Sequence, residues 1–259
     1  MRDPLFDISD RVIILTGACG LIGRTLATRL AERGARMVVV DVATACPEEM
    51  ATQLEGEAMG VACDVSRAAD VAALVARTEE RFGRVDVLIN NHQHKPRGFT
   101  STPAEEFPEA LWDAIVDVNL KGTFLMCRDV GRVMLRQGKG SIINVASTYG
   151  VVSSTPDLYE ANSLGNPVAY SASKGGVIML TKYLGAYWAE RGVRVNCVTP
   201  HGVLNGHEAG FVERFRARSP MRRLMTAEEV VGAVLFLASD ASSYAVGSNV
   251  LIEGGWTAW

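Results

Sequence analysis

A tyrosine and a lysine stand four residues apart in Tyr170-Ser171-Ala172-Ser173-Lys174, within a segment whose pattern predicts helix, so both side chains fall on one face. An ammonium beside a phenol favours the phenolate. It draws the tyrosine pKa down from its ordinary value of about 10 toward the range where the hydroxyl exchanges protons near neutral pH. An exposed i,i+4 pair of this kind is common on helices. The chemical reading is selected by its company: a glycine-rich turn after a first strand, an acid ending a second, and Asn90-Asn91 ending a fourth.

The turn reads Thr16-Gly17-Ala18-Cys19-Gly20-Leu21-Ile22-Gly23 and lies between an apolar β-branched run and a helical pattern. Glycines there let backbone N–H groups approach a pyrophosphate at the positive end of a helix, which predicts a dinucleotide site. Asp41 ends the second strand, where a carboxylate accepts both hydroxyls of an adenosine ribose and repels a 2′-phosphate, so NAD is expected in preference to NADP. Asp64 and Val65, after the third strand, are placed beside the adenine, and Asn90 is placed to steady the adjoining backbone.

These motifs need a frame that brings strand ends together. Short apolar runs at 12–15, 37–40, 61–63, 85–89, 141–145, 193–198 and 249–252 alternate with helical patterns such as 21–33 and 68–82, closed by Gly34 and Gly83. Repeated βα units predict a single α/β domain over 1–259, Rossmann-like, with a doubly wound parallel seven-stranded sheet covered by helices on both faces. Ligands of such folds bind at the carboxyl ends of the strands.

Composition narrows the partners. With 259 residues, 48% hydrophobic and 21% charged, the chain can bury one large core. A net charge of -3 supplies no general field for nucleic acid or membrane surfaces, which leaves a small-molecule substrate as the expected partner. No uncharged run reaches membrane-spanning length and the polar start lacks a signal-peptide pattern, so a cytoplasmic location is expected. Five scattered cysteines without C-x-x-C spacing suit reduced, mostly buried thiols. No metal is expected: His92 and His94 are two apart but lack a third ligand nearby.

Taken together, the chain resembles the short-chain dehydrogenase/reductase family over nearly its whole length. The resemblance maps a proton-relay tetrad onto Asn119 in Asn119-Leu120-Lys121-Gly122, Ser147 in Asn144-Val145-Ala146-Ser147, Tyr170 and Lys174. It implies that Tyr170 exchanges a proton with the substrate oxygen as hydride crosses to or from nicotinamide. Lys174 would lower the tyrosine pKa and bind the nicotinamide ribose, Ser147 would hydrogen-bond the reacting oxygen, and Asn119 would hold a water leading to solvent. The same resemblance places Pro200 and Val203 against the cofactor and puts Cys19 where an NADP-using relative often carries a basic residue. Residues 247–255 look like the family's last strand and oligomer contact, implying a homodimer or homotetramer, with Trp256 and Trp259 either reaching a neighbour or folding back.

Several segments depart from the family's short form. Gly17, Gly20 and Gly23 are evenly spaced rather than following T-G-x-x-x-G-x-G, and Ser147 and Tyr170 are 23 residues apart, longer than usual. Asn91-His92-Gln93 puts bulk where small residues normally pass the cofactor, Pro200-His201-Gly202 interrupts a Pro-Gly pair, and Asn205 stands where threonine is common. The longer loop 148–167 is rich in polar groups and must leave the sheet beside Ser147. It is expected either to line the pocket, with Tyr149, Asp157, Tyr159 and His201 near a sugar-like substrate, or to be surface elaboration. In the lid-like segment 201–223, Arg214, Arg216, Arg218, Arg222 and Arg223, with Lys95 and Arg97, form either a phosphate clamp or a solvated face.

The glycine turn, the long loop and Gly254-Gly255-Trp256 also resemble bacterial members associated with flagellin modification and nonulosonate-type sugars. The leading expectation is an NAD-dependent oxidoreductase that interconverts a secondary alcohol and a ketone on a polar substrate. The alternatives are an epimerase or dehydratase of a sugar (nucleotide), a 3-oxoacyl-type carbonyl reductase, and a dinucleotide-binding regulator.

Overall fold

The computed structural model describes residues 3–97, 99–100, 102–154, 158 and 168–259. Seven parallel strands run in the order β3-β2-β1-β4-β5-β6-β7. They are β1 (Val12–Thr16), β2 (Arg36–Asp41), β3 (Ala58–Ala62), β4 (Val87–Asn90), β5 (Gly140–Val145), β6 (Val193–Pro200) and β7 (Asn249–Ile252). The intervening helices are α1 (Leu21–Ala31), α2 (Pro47–Thr52), α3 (Ala68–Phe82), α4 (Glu109–Val116), α5 (Thr123–Gln137), α6 (Val168–Trp188), α7 (Ala209–Arg218) and α8 (Val231–Ala238).

Strands β1 to β6 feed one core above the sheet and another below. From β1, Ile13 and Leu15 join Leu26, Leu30, Val234 and Leu237 of α1 and α8, while Val12 and Ile14 join Leu74, Val130 and Leu184 of α3, α5 and α6. Burial on both faces is why the central strands are continuous apolar runs rather than alternating ones. The chain winds outward from β1 to β3, then returns to β4 on the other side of β1, so a crevice opens above the carboxyl ends of β1 and β4. Every motif that could do chemistry lies at that end.

The third strand is Ala58–Ala62, earlier than the expected 61–63, because its pairing with β2 begins at Met37 with Ala58 even though Ala58-Met59-Gly60 carries no β-branched signal. The fourth starts at Val87 rather than 85; Asp86 instead accepts the Val12 amide at 2.9 Å. Among the described residues, no helix is long and apolar enough to cross a membrane. All five cysteines are free, with Cys63, Cys127 and Cys197 buried. Of the 148–167 loop, 148–154 and 158 are described, so Asp157 and Tyr159 lie outside the described residues.

Candidate active site

The glycine turn bends back under the end of β4. Gly17 takes φ +61°, and a Cβ there would come within 2.7 Å of the His92 Cα, so only glycine closes this turn. Gly23 fits against the turn with equal tightness, since a Cβ would sit 2.1 Å from the Gly17 carbonyl oxygen. Gly20 begins α1 with no side-chain cap, which leaves the helix start to offer its N–H groups to a ligand. Gly17, Cys19, Gly20, Leu21 and Ile22 line a cleft of about 850 Å³ together with Asp41, Asp64 and Val65.

Asp41 is held in place by backbone donors: the Cys19 amide donates to Oδ2 and the Val42 amide to Oδ1, each at 2.9 Å. Burial, then the charge of Asp41, pushes the Cys19 thiol up to about 11, so it stays protonated beside the carboxylate. Arg24 turns its Nε to the Cys19 carbonyl at 2.8 Å and does not line the cleft. Asp64 accepts from the Ser66 amide and hydroxyl at 3.0 and 2.7 Å. Asn90 is buried behind the cleft, with its amide donating to Asn144 Oδ1 at 2.9 Å, so it ties β4 to β5 and does not line the cavity. An uncapped helix start, a glycine cradle with no room for Cβ atoms and an anchored acid at the end of β2 fit a dinucleotide.

A second cavity of about 570 Å³ adjoins the first, with Ile22, Asn91, Gln93, Lys95, Val203 and Asn205 on both walls. Here Ser147, Tyr149, Tyr170, Lys174, Pro200 and His201 meet. Tyr170 and Lys174 belong to the stripe Tyr170, Ser173, Lys174, Val177 and Thr181 that α6 turns inward. The Lys174 ammonium lies 5.8 Å from the Tyr170 ring centroid and donates to the Val145 carbonyl at 2.8 Å. Burial, and then Lys95, draws Lys174 down to about 8. On another side, Lys95 Nζ lies 5.6 Å from the same ring centroid. Two ammonium groups beside one phenol favour its ionised form. The Tyr170 hydroxyl donates to Gln93 Oε1 at 3.3 Å, and Phe99 packs edge-on against the ring.

Ser147 stands two residues beyond the end of β5, and the Tyr149 amide donates to its Oγ at 3.3 Å. The short turn Thr148–Gly150 then docks on α6 so closely that a Cβ on Gly150 would lie 2.6 Å from the Lys174 carbonyl carbon. That contact sets the spacing between Ser147 and the Tyr170–Lys174 pair.

Asn119 lies behind this cavity in Asp117–Gly122, where the helix between α4 and α5 widens into a π turn. Its Oδ1 accepts the His94 amide at 2.7 Å and its Nδ2 donates to Ser173 Oγ at 3.3 Å. The side chain thus ties the loop after β4 to α6. The bulk expected at His92 turns inward: its Nδ1 pairs with Thr16 Oγ1 at 2.7 Å and its Nε2 with Thr123 Oγ1 at 3.2 Å. Burial, reinforced by Lys174, draws that imidazole down to about 3 and keeps it neutral.

His201 packs against Tyr149, Phe215 and Trp256, with ring centroids 5.4, 5.1 and 4.5 Å away. Burial draws it down to about 4, and its Nε2 has no hydrogen-bond partner among the described residues. Trp256 therefore folds back onto its own chain, whereas Trp259 is exposed. Among the described residues, the arginines of 201–223 do not assemble a clamp. Arg214 donates to the Leu158 carbonyl, Arg216 pairs with Glu213, Arg222 donates to the Ala217 carbonyl, and Arg223 pairs with Glu229. Neither they nor Arg218 line the cavity, where Lys95 remains.

Sequence reasoning passed over Gln93 as a site residue, although an amide where small residues are usual was a visible signal. Gly150 and Phe99 gave none, since their importance lies in contacts across the fold.

A family model described as Enoyl-(Acyl carrier protein) reductase matches residues 17–257. A D-threitol dehydrogenase from Mycolicibacterium smegmatis is 39% identical, over 97% of this chain and 95% of its own length. An NAD-dependent glycerol dehydrogenase from Listeria innocua is 33% identical over 98% and 97%. A solved gluconate 5-dehydrogenase from Burkholderia cenocepacia, in complex with NADP and tartrate, superposes with a TM-score of 0.89 at 31% identity, covering 99% of this chain and 98% of that one. The chain belongs to the short-chain dehydrogenase/reductase family. It is an oxidoreductase that acts on CH–OH groups, interconverting alcohol and ketone.

Proposed function

We propose that this chain is an NAD-dependent dehydrogenase that interconverts a secondary alcohol and its ketone on a polyol-like substrate. The observation that carries the reading is Tyr170 set between two ammonium groups, beside Ser147, in a cavity continuous with a glycine-lined cleft that runs to Asp41. The backbone of Gly17, Cys19, Gly20, Leu21 and Ile22 would hold the pyrophosphate, while Asp64 and Val65 would meet the adenine end. Tyr170, Lys174, Pro200 and Val203 would flank the nicotinamide end. When bound, the dinucleotide supplies the hydride acceptor for oxidation or the donor for reduction.

In oxidation Tyr170 takes the proton of the substrate hydroxyl; in reduction it returns one to the carbonyl oxygen. Lys174 stabilises the phenolate between these states, and Ser147 Oγ hydrogen-bonds the reacting oxygen. Asn119 acts as a positioning residue through the His94 amide and Ser173. The choice of NAD rests on Asp41, whose carboxylate is fixed at the cleft wall and would repel a 2′-phosphate. The polyol reading rests on the polar groups Asn91, Gln93, Tyr149 and Asn205 on the cavity wall and on the polyol names of the relatives. The test is cofactor reduction with NAD+ or NADP+ and a panel containing threitol, glycerol and gluconate. Substrate-dependent NADH release, slower with NADP+, is expected; no turnover, or a preference for NADP+, overturns the reading.

A second copy of the chain fits the outer face of α6, where Met179, Tyr183 and Tyr187 form an exposed stripe at i,i+4 spacing. A dimer or tetramer mass in solution is expected, and a monomer mass excludes this contact.

A further inference from the structure

Lys95 stands in the loop after β4, on the wall shared by both cavities. Its side chain is open to solvent through the cavity mouth, yet the surrounding walls remove enough water to pull its pKa down. Among the described residues no carboxylate pairs with it, although Arg11, Arg29, Arg36, Arg128 and Arg223 each have an acidic partner. Glu208 lines the same cavity and forms no ion pair with Lys95. The other ammonium beside Tyr170, that of Lys174, is tied to the Val145 carbonyl. Lys95 is thus an accessible cation in a concave site, next to the reacting tyrosine and without a counter-charge among the described residues. Such sites concentrate anions, because the low-dielectric walls focus the field.

We infer that Lys95 recognises a negatively charged group on the substrate, so the preferred substrate is a polyhydroxy acid or a phosphorylated polyol rather than a neutral one. This rests on the dehydrogenase reading and deepens it: the carbinol to be oxidised lies at Tyr170 and Ser147, and the carboxylate or phosphate lies on Lys95 Nζ. The loop that carries Lys95 is braced by Asn119 through the His94 amide, so the cation is held in register with the proton-transfer pair.

The test uses three compounds on one carbon skeleton: threitol, threonate and threitol monophosphate, with the full-length protein and NAD+. The wild-type protein is expected to favour at least one anion over threitol. The anion that wins distinguishes carboxylate from phosphate. In Lys95→Met the ratio of kcat/KM for that anion over threitol should fall by about 10- to 100-fold, the size of a charge-assisted hydrogen bond. Lys95→Arg should keep most of the preference.

Calorimetric titration of both anions into NADH-loaded protein supplies a readout free of turnover, with binding that weakens in Lys95→Met and in added salt. A wild-type preference for threitol overturns the inference. So does an equal fall for all three compounds, which would confine Lys95 to its effect on the Tyr170 phenol, or a loss confined to NADH affinity. If no compound is oxidised but an anion binds in a Lys95-dependent way, the anion site stands and the dehydrogenase reading falls. Turnover without anion preference gives the reverse.

Discussion

Lys174 gives the site a measurable cost. It is buried, and its pKa falls from the ordinary 10.5 to about 8, chiefly through lost solvation. Below about pH 8 both folded and unfolded chains hold the proton, and the fold bears the full penalty. Between about 8 and 10.5 the folded chain releases the proton while the unfolded chain keeps it, so the unfolded state binds more protons and stability rises with pH. At 1.36 kcal/mol per pH unit the rise attributable to this lysine is about 3 kcal/mol. Substituting Lys174→Met removes it. Because a phenol ordinarily titrates near pH 10, both proteins should carry Tyr170→Phe, which takes that proton out of the comparison. Urea unfolding of the cofactor-free proteins from about pH 7 to about pH 10 should show the lysine protein gaining about 3 kcal/mol relative to the methionine protein. Loss of the hydrogen bond to Val145 offsets the two curves by a constant and does not change their slopes. Parallel curves would refute the claim that the fold holds an ammonium against desolvation beside Tyr170.

Three further substitutions probe the cleft. Gly23→Ala drives a methyl into the Gly17 carbonyl, and we expect loss of NADH fluorescence binding together with a destabilisation of about 1–3 kcal/mol by thermal melt. Asp41→Ser removes the fixed charge, and the ratio of kcat/KM with NADP+ over NAD+ should rise at least about tenfold in steady-state assays. Gly150→Ala pushes the Ser147 turn away from α6, so kcat should fall by about 10- to 100-fold with NADH affinity nearly unchanged, read by parallel kinetics and titration.

The sheet was legible because the central strands are buried on both faces and therefore spell themselves out in Val, Ile and Leu. Ala58–Ala62 was half missed because its extended form comes from pairing with β2, not from its own side chains. Tyr170, Lys174 and the glycine turn were visible because spacing places them on one helix face and after a strand, whereas Ser147 came only from the family resemblance. Asn90 and His92 were harder. A sequence does not say whether a polar side chain after a strand turns to the ligand or into the core, and both turn inward here. The arginines of 201–223 looked like a clamp by count, but Arg216, Arg222 and Arg223 turn to carboxylates and carbonyls close by in the chain and Arg214 to the Leu158 carbonyl, which only the fold reveals. Lys95, one cation among seven candidates in the sequence, is the one that reaches the cavity.

The central claim is that the Tyr170 hydroxyl moves the proton while the cofactor moves the hydride. Its most direct test is Tyr170→Phe, assayed for alcohol oxidation beside an NADH-binding titration on the same preparation. General acid/base catalysis sets the expected loss in kcat at about 10²- to 10⁴-fold with NADH affinity retained. A variant that binds NADH and turns over at the wild-type rate would contradict the account.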